Sequence, residues 1–402
     1  MLVAVALPDV ARAETLHGTV ESMINLFPDP QQRQLQVVAP FLQWVTLHAE
    51  RLNDQDMGVH LSGYGGFDLG NAFFDGHGAG DLNVAQFRYR DAGRGTELVL
   101  GRQYLMLGLA RAEHFDGLHV VQTLPGGLRL ELFGGVHAGP RMTYQAGDWL
   151  AGGRVGYRFT DVVSAGVSFL QAREQERLAR ELVGADVVVH PKKWLEAGVG
   201  ALYDTIGSHL AQLDLFATVY PRDGLRVAAD WRRVVPVALL DKTSIFSVFS
   251  DAVRNEAGGD VSWKLDRRVT LRADAHAMFF DDGQTGYRAG ASAVFTLGAR
   301  DENTLTLRAG RFRDATDGYT DLRAATRHYF TASFFGALDV QAYRYDVGVR
   351  GETLSFGVTA ALGYDVARKL RVILAAEGGI TPEFEARGQL MARLEWNYWT
   401  SF

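Results

Sequence analysis

Apolar and polar side chains take turns along this chain with a period of two, and the pattern repeats to its end. In one run Val269, Leu271, Ala273, Ala275, Ala277 and Phe279 share a face, while Thr270, Arg272, Asp274 and His276 share the other. A second sets Leu354, Phe356, Val358, Ala360 and Leu362 against Ser355, Gly357, Thr359 and Gly363, and a third sets Leu225, Val227, Ala229 and Trp231 against Arg226, Asp230 and Arg232. Side chains alternate this way only on extended strands, so the chain is read as all-β, in segments of about ten residues separated by Gly, Pro, Asp and Asn clusters. The segment 171–183, rich in Glu, Arg, Leu and Ala, is the one helix candidate; a protruding hairpin with arms 168–172 and 178–183 accounts for it better.

No stretch of 18 apolar residues occurs, so a transmembrane helix is excluded, and a closed barrel is the one architecture by which such a chain could span a bilayer. A mean hydropathy of -0.06 does not argue against this, because lipid-facing and water-facing residues average out in alternating strands. The connections fall into two alternating classes, as they do in membrane barrels. Short turns are expected at 53–56, 124–127, 160–161, 221–224, 265–268, 336–339 and 365–368, and longer loops at 70–80, 105–113, 138–148, 236–256 and 313–321. The expected fold is a single transmembrane antiparallel β-barrel of roughly 22 strands, within about 18 to 24, with short periplasmic turns and longer extracellular loops. An even count places both termini in the periplasm.

Residues 1–13 run from an apolar stretch to Ala11-Arg12-Ala13 and read as the remnant of a signal peptide ending in an A-x-A site, followed by the barrel from 14 to 402. The formal net charge of -6 gives no reason to expect a nucleic-acid partner. With 0 cysteines, thiol catalysis, disulfides and a lipidated N-terminal Cys are ruled out.

In the last strand Gly388, Leu390, Ala392, Leu394, Trp396 and Tyr398 lie on one face, opposite Arg387, Gln389, Arg393, Glu395 and Asn397, and the chain ends on Phe402. This strand resembles the terminal β-signal of outer-membrane β-barrel proteins. The resemblance implies an outer-membrane location, contact with outer-membrane lipid, and recognition by the barrel-assembly machinery through Leu394, Trp396, Tyr398 and Phe402. A second likeness lies in Gly101-Arg102-Gln103 and Phe115-Asp116-Gly117-Leu118, which resemble strand pairs of the alginate-export family and of large porins. Arg102 breaks the alternation, sharing parity with Leu98 and Leu100, and is expected at a rim or after a bulge.

An Arg facing lipid at mid-membrane costs about 2 to 4 kcal/mol, so the charged face is the inner one. Arg129, Glu131, Arg154, Arg158, Arg226, Asp230, Arg232, Arg272, Asp274, Arg288, Arg308, Arg371, Arg387, Arg393 and Glu395 are assigned to the lumen. Only 5 residues are Lys, so the cationic groups are nearly all guanidinium forks, which bind carboxylates and phosphates in two-pronged fashion. Two readings follow: a pathway that favours anions, or cross-strand pairing with carboxylates that stiffens the wall.

The 11 His show no ligand spacing, and no metal site or cofactor is expected; calcium at Asp314, Asp317 and Asp321, or at Asp281 and Asp282, is a minor reading. Gly63, Gly65 and Gly66 are taken as wall glycines. No Ser, His and carboxylate set aligns near one rim, so an enzyme is not expected.

Barrels of 22 strands are commonly plugged, yet with the first strand expected within a few residues of Ala13 no preceding plug domain is expected. The expected constriction is the 236–256 connection, whose Leu239, Leu240, Ile245, Phe246, Val248 and Phe249 are too apolar for a solvated loop. Three functions stay open. The first is porin-like passage of small solutes, anions among them. The second is a barrel for export of a polysaccharide or other polymer with periplasmic export partners. The third is a non-conducting scaffold for an envelope complex.

Overall fold

The computed structural model describes residues 13–28, 37–52, 56–71, 73–74, 76, 78–108, 110–139, 147–174, 176–236, 253–298, 302–314, 316–382 and 384–401. They form one antiparallel meander in which successive strands pair, except that the third strand pairs with the first past a short second one. The strands are β1 (Ala13–Pro28), β2 (Val37–Val38), β3 (Pro40–Leu52), β4 (Met57–Asp68), β5 (Gly78–Asp91), β6 (Thr96–Leu107), β7 (Ala110–Thr123) and β8 (Leu128–His137). They continue through β9 (Trp149–Arg158), β10 (Val163–Glu174), β11 (Arg177–Lys192), β12 (Leu195–Asp204), β13 (His209–Arg222), β14 (Leu225–Val234), β15 (Arg254–Lys264) and β16 (Val269–Phe280). The last are β17 (Thr285–Leu297), β18 (Asn303–Arg313), β19 (Gly318–Tyr329), β20 (Phe334–Val349), β21 (Glu352–Ala367), β22 (Leu370–Thr381) and β23 (Phe384–Ser401).

The wall closes where β1 lies between β3 and β23, its pairing to β23 running from Thr15↔Ser401 to Leu26↔Leu390. The result is a closed barrel of 22 strands with the two-residue β2 as an extra piece beside the end of β1. Closure gives each of the 22 wall strands a backbone partner on both sides over at least part of its length, the arrangement by which strands can span a bilayer.

The register fixes which face is inside. β7 and β11 are not neighbours in the wall, yet Glu113 of β7 and Arg180 of β11 form an ion pair 67 residues apart in sequence. Such a contact can be made only through the interior. Residues directly opposite each other share a face, so the interior identity of Arg180 passes from strand to strand and returns consistent after the full circuit. The outer face then carries Leu100, Leu118, Leu132, Val155, Val167, Leu322, Leu362 and Leu374, all among the exposed large hydrophobics. An outer face this apolar suits a hydrocarbon surrounding rather than water.

The 336–339 and 105–113 connections differ from expectation. The 336–339 turn falls inside β20, because Ala337 and Asp339 pair with Ala361 and Thr359 and the chain turns earlier, at 330–333. The 105–113 loop is mostly strand: β6 continues to Leu107 and β7 starts at Ala110, so the reversal is a tight turn at Gly108, whose φ is +56°. The 171–183 segment is the hairpin expected there and not a helix, with Leu170, Leu182 and Arg180 turned inward along β10 and β11.

Candidate functional site

Two features mark the interior: a girdle of ion pairs, and one hairpin that leaves the wall. The girdle is built by register, because two-residue alternation puts every second side chain inside and antiparallel pairing sets guanidinium and carboxylate within reach across strands. Arg129 Nε donates to Glu131 at 2.8 Å, and His119 Nε2 lies 3.5 Å from the same carboxylate. Arg154 is paired with Asp186, its Nη2 donating at 2.7 Å. Arg226 pairs with Asp260. Arg232 Nε donates to Asp214 at 2.6 Å, and Asp230 lies 3.0 Å from His276 Nε2. Further round, Arg288 reaches Glu256 at 2.8 Å, Arg308 approaches Asp321 at 3.8 Å, and Arg371 Nε donates to Asp365 at 2.6 Å. At the closing strands Arg393 bridges Glu21 at 2.8 Å and Glu395 at 3.4 Å.

The remaining residues assigned to the lumen from sequence fall on the same inner face. Arg158 lies opposite Ser164, Arg272 opposite Ser262 and Ser292, and Asp274 opposite Asp260. Arg387 sits with its guanidinium 5.7 Å from the Phe27 ring. On the last strand Leu394, Trp396 and Tyr398 face outward opposite Ser22, Val20 and Gly18; Phe402 lies outside the described residues. Leu239, Leu240, Ile245, Phe246, Val248 and Phe249 also lie outside them. Val235 and Val253, on either side of that segment, pack against the inner apolar cluster.

The β6–β7 hairpin bends inward. Its ladder runs together almost to the tip, ending at Leu107↔Ala110, but the tip lies against β9 and β11 instead of standing above β5 and β8. Arg180 donates from Nη1 and Nη2 to the two oxygens of Glu113 at 2.8 and 3.1 Å, and both side chains are buried. At the turn Gly108 takes a left-handed φ of +56°, and a Cβ there would push aside the Arg154 guanidinium of the Arg154–Asp186 pair on which the backbone lies. Beneath the bend lies an apolar cluster that includes Leu105, Phe115, Phe133, Leu150, Leu170, Leu182 and Leu202. The Phe115 and Phe133 rings are 5.6 Å apart. Burying this cluster offsets the cost of taking Glu113 and Arg180 out of water.

The bend parts β6 from β5. Their ladder runs from Asp91↔Thr96 only to Ala85↔Arg102, and beyond it β5 pairs with β4 alone and β6 with β7 alone. At this fork Gly101 has φ +116°, and a Cβ there would meet the Ala85 carbonyl oxygen at 2.1 Å. Arg102 has the outward parity of Leu98 and Leu100, but its side chain is only 2% exposed because it fills the fork. Its Nε and Nη2 donate to Asp116 at 2.9 and 2.7 Å, its Nη1 donates to the Leu82 carbonyl at 2.9 Å, and Asp81 is 3.6 Å away. Just above, His114 Nε2 lies 2.8 Å from the Asn83 carbonyl oxygen, with its ring stacked on Tyr104 at 4.0 Å. The bulge at Ser62/Gly63 shifts β5 by one residue here.

Glu113 and Arg180 carried no sequence signal, since their pairing depends on a bend. Arg102 did: its broken parity pointed to a bulge.

No protein-family model and no curated protein matches the chain. Among solved structures, the siderophore receptor PirA from Acinetobacter baumannii superposes with a TM-score of 0.65 at 8% identity, over 96% of this chain and 81% of that one. A ferric enterobactin receptor (PfeA) mutant from Pseudomonas aeruginosa gives 0.64 at 9% identity, with coverage of 96% and 81%. The translocation pore of the P pilus usher PapC gives 0.57 at 9% identity, over 95% of this chain and 99% of that one. Identities this low speak for the fold alone, and the chain has the fold of the outer-membrane β-barrels, closed from 22 antiparallel strands.

Proposed function

We propose that the protein is an outer-membrane channel through which small polar solutes cross passively, along an interior walled by guanidinium–carboxylate pairs and narrowed by the β6–β7 hairpin. The observation that carries this reading is the inward hairpin held by Glu113 and Arg180 inside a wall whose inner face carries ion pairs round most of its circumference. A charged interior is of use to a barrel only if it is wet, and a built constriction is of use only if something passes it. Because most of the guanidinium groups are tied to carboxylates, the preference for anions is weak.

Planar-bilayer recording tests the reading. The wild-type protein should give steady ohmic pores. Arg180→Ala, which releases the hairpin, should raise the single-channel conductance. Absence of any current would reject the channel and favour the scaffold.

A polymer-export barrel is the second reading. The 22-strand circumference exceeds the 16 to 18 strands of ordinary porins, and the similarity extends over 99% of a chain described as a translocation pore. Periplasmic or envelope-complex partners belong to this reading. A pore that stays shut in the wild type and opens widely on release of the hairpin would favour it over passive solute passage.

A further inference from the structure

We propose that the fork between β5 and β6 is a side exit, through which a single-chain amphiphile passes between the interior and the surrounding lipid. It is a route distinct from the axial one proposed above. Backbone pairing is what seals a barrel, and an unpaired peptide group facing hydrocarbon costs several kcal/mol, so a fork in the wall is not a neutral feature. At about 3.3 Å per residue and a tilt of about 40°, position 102 lies roughly 15 Å above the start of β6, inside an apolar band about 25 Å tall. Above it, residues 78–84 of β5 and 103–107 of β6 have no strand partner toward each other. Among the described residues side chains join the two sides: Arg102 donates to the Leu82 carbonyl and lies 3.6 Å from Asp81, and His114 meets the Asn83 carbonyl. Rotamer changes can open such contacts one at a time, whereas a ladder opens only as a unit.

The chemistry of the fork indicates the traveller. Its outer side is apolar and exposed, with Leu100, Tyr104 and Met106 at 57%, 58% and 75%. Its polar groups fill the fork itself: the Arg102 guanidinium is set against Asp116 and Asp81, and Gln103 Nε2 donates to the Gly117 carbonyl oxygen at 3.2 Å. A molecule that crosses there needs an apolar tail and a polar head.

The protein has 0 cysteines, so a bridge can be placed at the fork alone. Tyr104 stacks on the His114 ring that meets the Asn83 carbonyl, which brings positions 83 and 104 within reach of a short linker. The variant Asn83→Cys/Tyr104→Cys is bridged by a bifunctional methanethiosulfonate, reconstituted in vesicles, and compared with the same sample after dithiothreitol. The probe is a fluorescent lysophosphatidylcholine in the outer leaflet, followed by loss of the pool that albumin can extract. Swelling in a small neutral sugar reports the axial route.

The wild type and the reduced variant should move the probe out of the extractable pool. The bridged variant should fall to the rate of protein-free vesicles, with sugar-driven swelling unchanged. Probe movement undiminished by the bridge, or none in the wild type, would overturn the side exit. So would a bridge that slows sugar and probe alike, because both would then travel the bore. Probe movement without sugar passage would instead sink the axial reading and leave the side exit standing.

Discussion

At the scale of single residues, three positions show how local chemistry serves the wall. Gly101 holds a left-handed backbone where the β5–β6 ladder ends, and a methyl group there would meet the Ala85 carbonyl. Gly101→Ala should destabilise the folded barrel by about 1–3 kcal/mol, read as a lower urea midpoint in detergent micelles. Asp266, in the turn after β15, accepts the backbone N–H groups of Arg268 at 2.6 Å and Val269 at 2.8 Å. Those donors favour the ionised carboxylate and hold its pKa below the usual aspartate value. The stabilisation is therefore complete above the unfolded value of about 3.9 and is lost as pH falls through the lower folded value. The amide resonances of Arg268 and Val269 should accordingly titrate together, with a midpoint below that of an unstructured aspartate; a midpoint at the ordinary value would remove the turn contact. The third position is Arg180, whose Nη1 and Nη2 donate to Glu113, a residue four strands away in the wall.

The β6–β7 hairpin is the element that departs from its neighbours, and its inward bend rests on one charged pair over an apolar floor. Arg180→Ala leaves Glu113 buried without that partner and should cost about 3–5 kcal/mol, whereas Glu113→Gln with Arg180→Met should cost much less. Urea unfolding of the two variants in the same micelles checks the difference, and equal losses would show that packing on Phe115, Leu150 and Leu170 holds the bend. The closing element behaves differently. β23 pairs with β1 from Ser401 back to Leu390, so truncation after Tyr398 would remove the Thr15, Leu16 and His17 pairings and fray the closure from its end.

For the molecule as a whole, the inner face balances its charges. Arg154, Arg226, Arg232, Arg288 and Arg371 each have a carboxylate partner on the same face, so the field along the axis is small. In a potassium chloride gradient the zero-current potential of the wild type should lie near zero. Asp186→Asn with Asp214→Asn, which frees Arg154 and Arg232, should shift it toward anions. A strongly anion-selective wild type would mean that the pairs are open in the working channel.

The alternation along the chain determined the all-β class, the strand number and the two faces, because a period of two leaves each residue one choice of side and the bilayer rejects charge on one of them. Turn chemistry placed most of the reversals, but not 336–339, where the small residues of a wall strand mimic a turn. What only the tertiary structure decided is the bend. Glu113 meets Arg180, Gly108 meets Arg154, and β5 leaves β6 at Arg102 because a hairpin tip can bury apolar surface inside the barrel. That gain depends on strands distant in sequence, which no local pattern encodes.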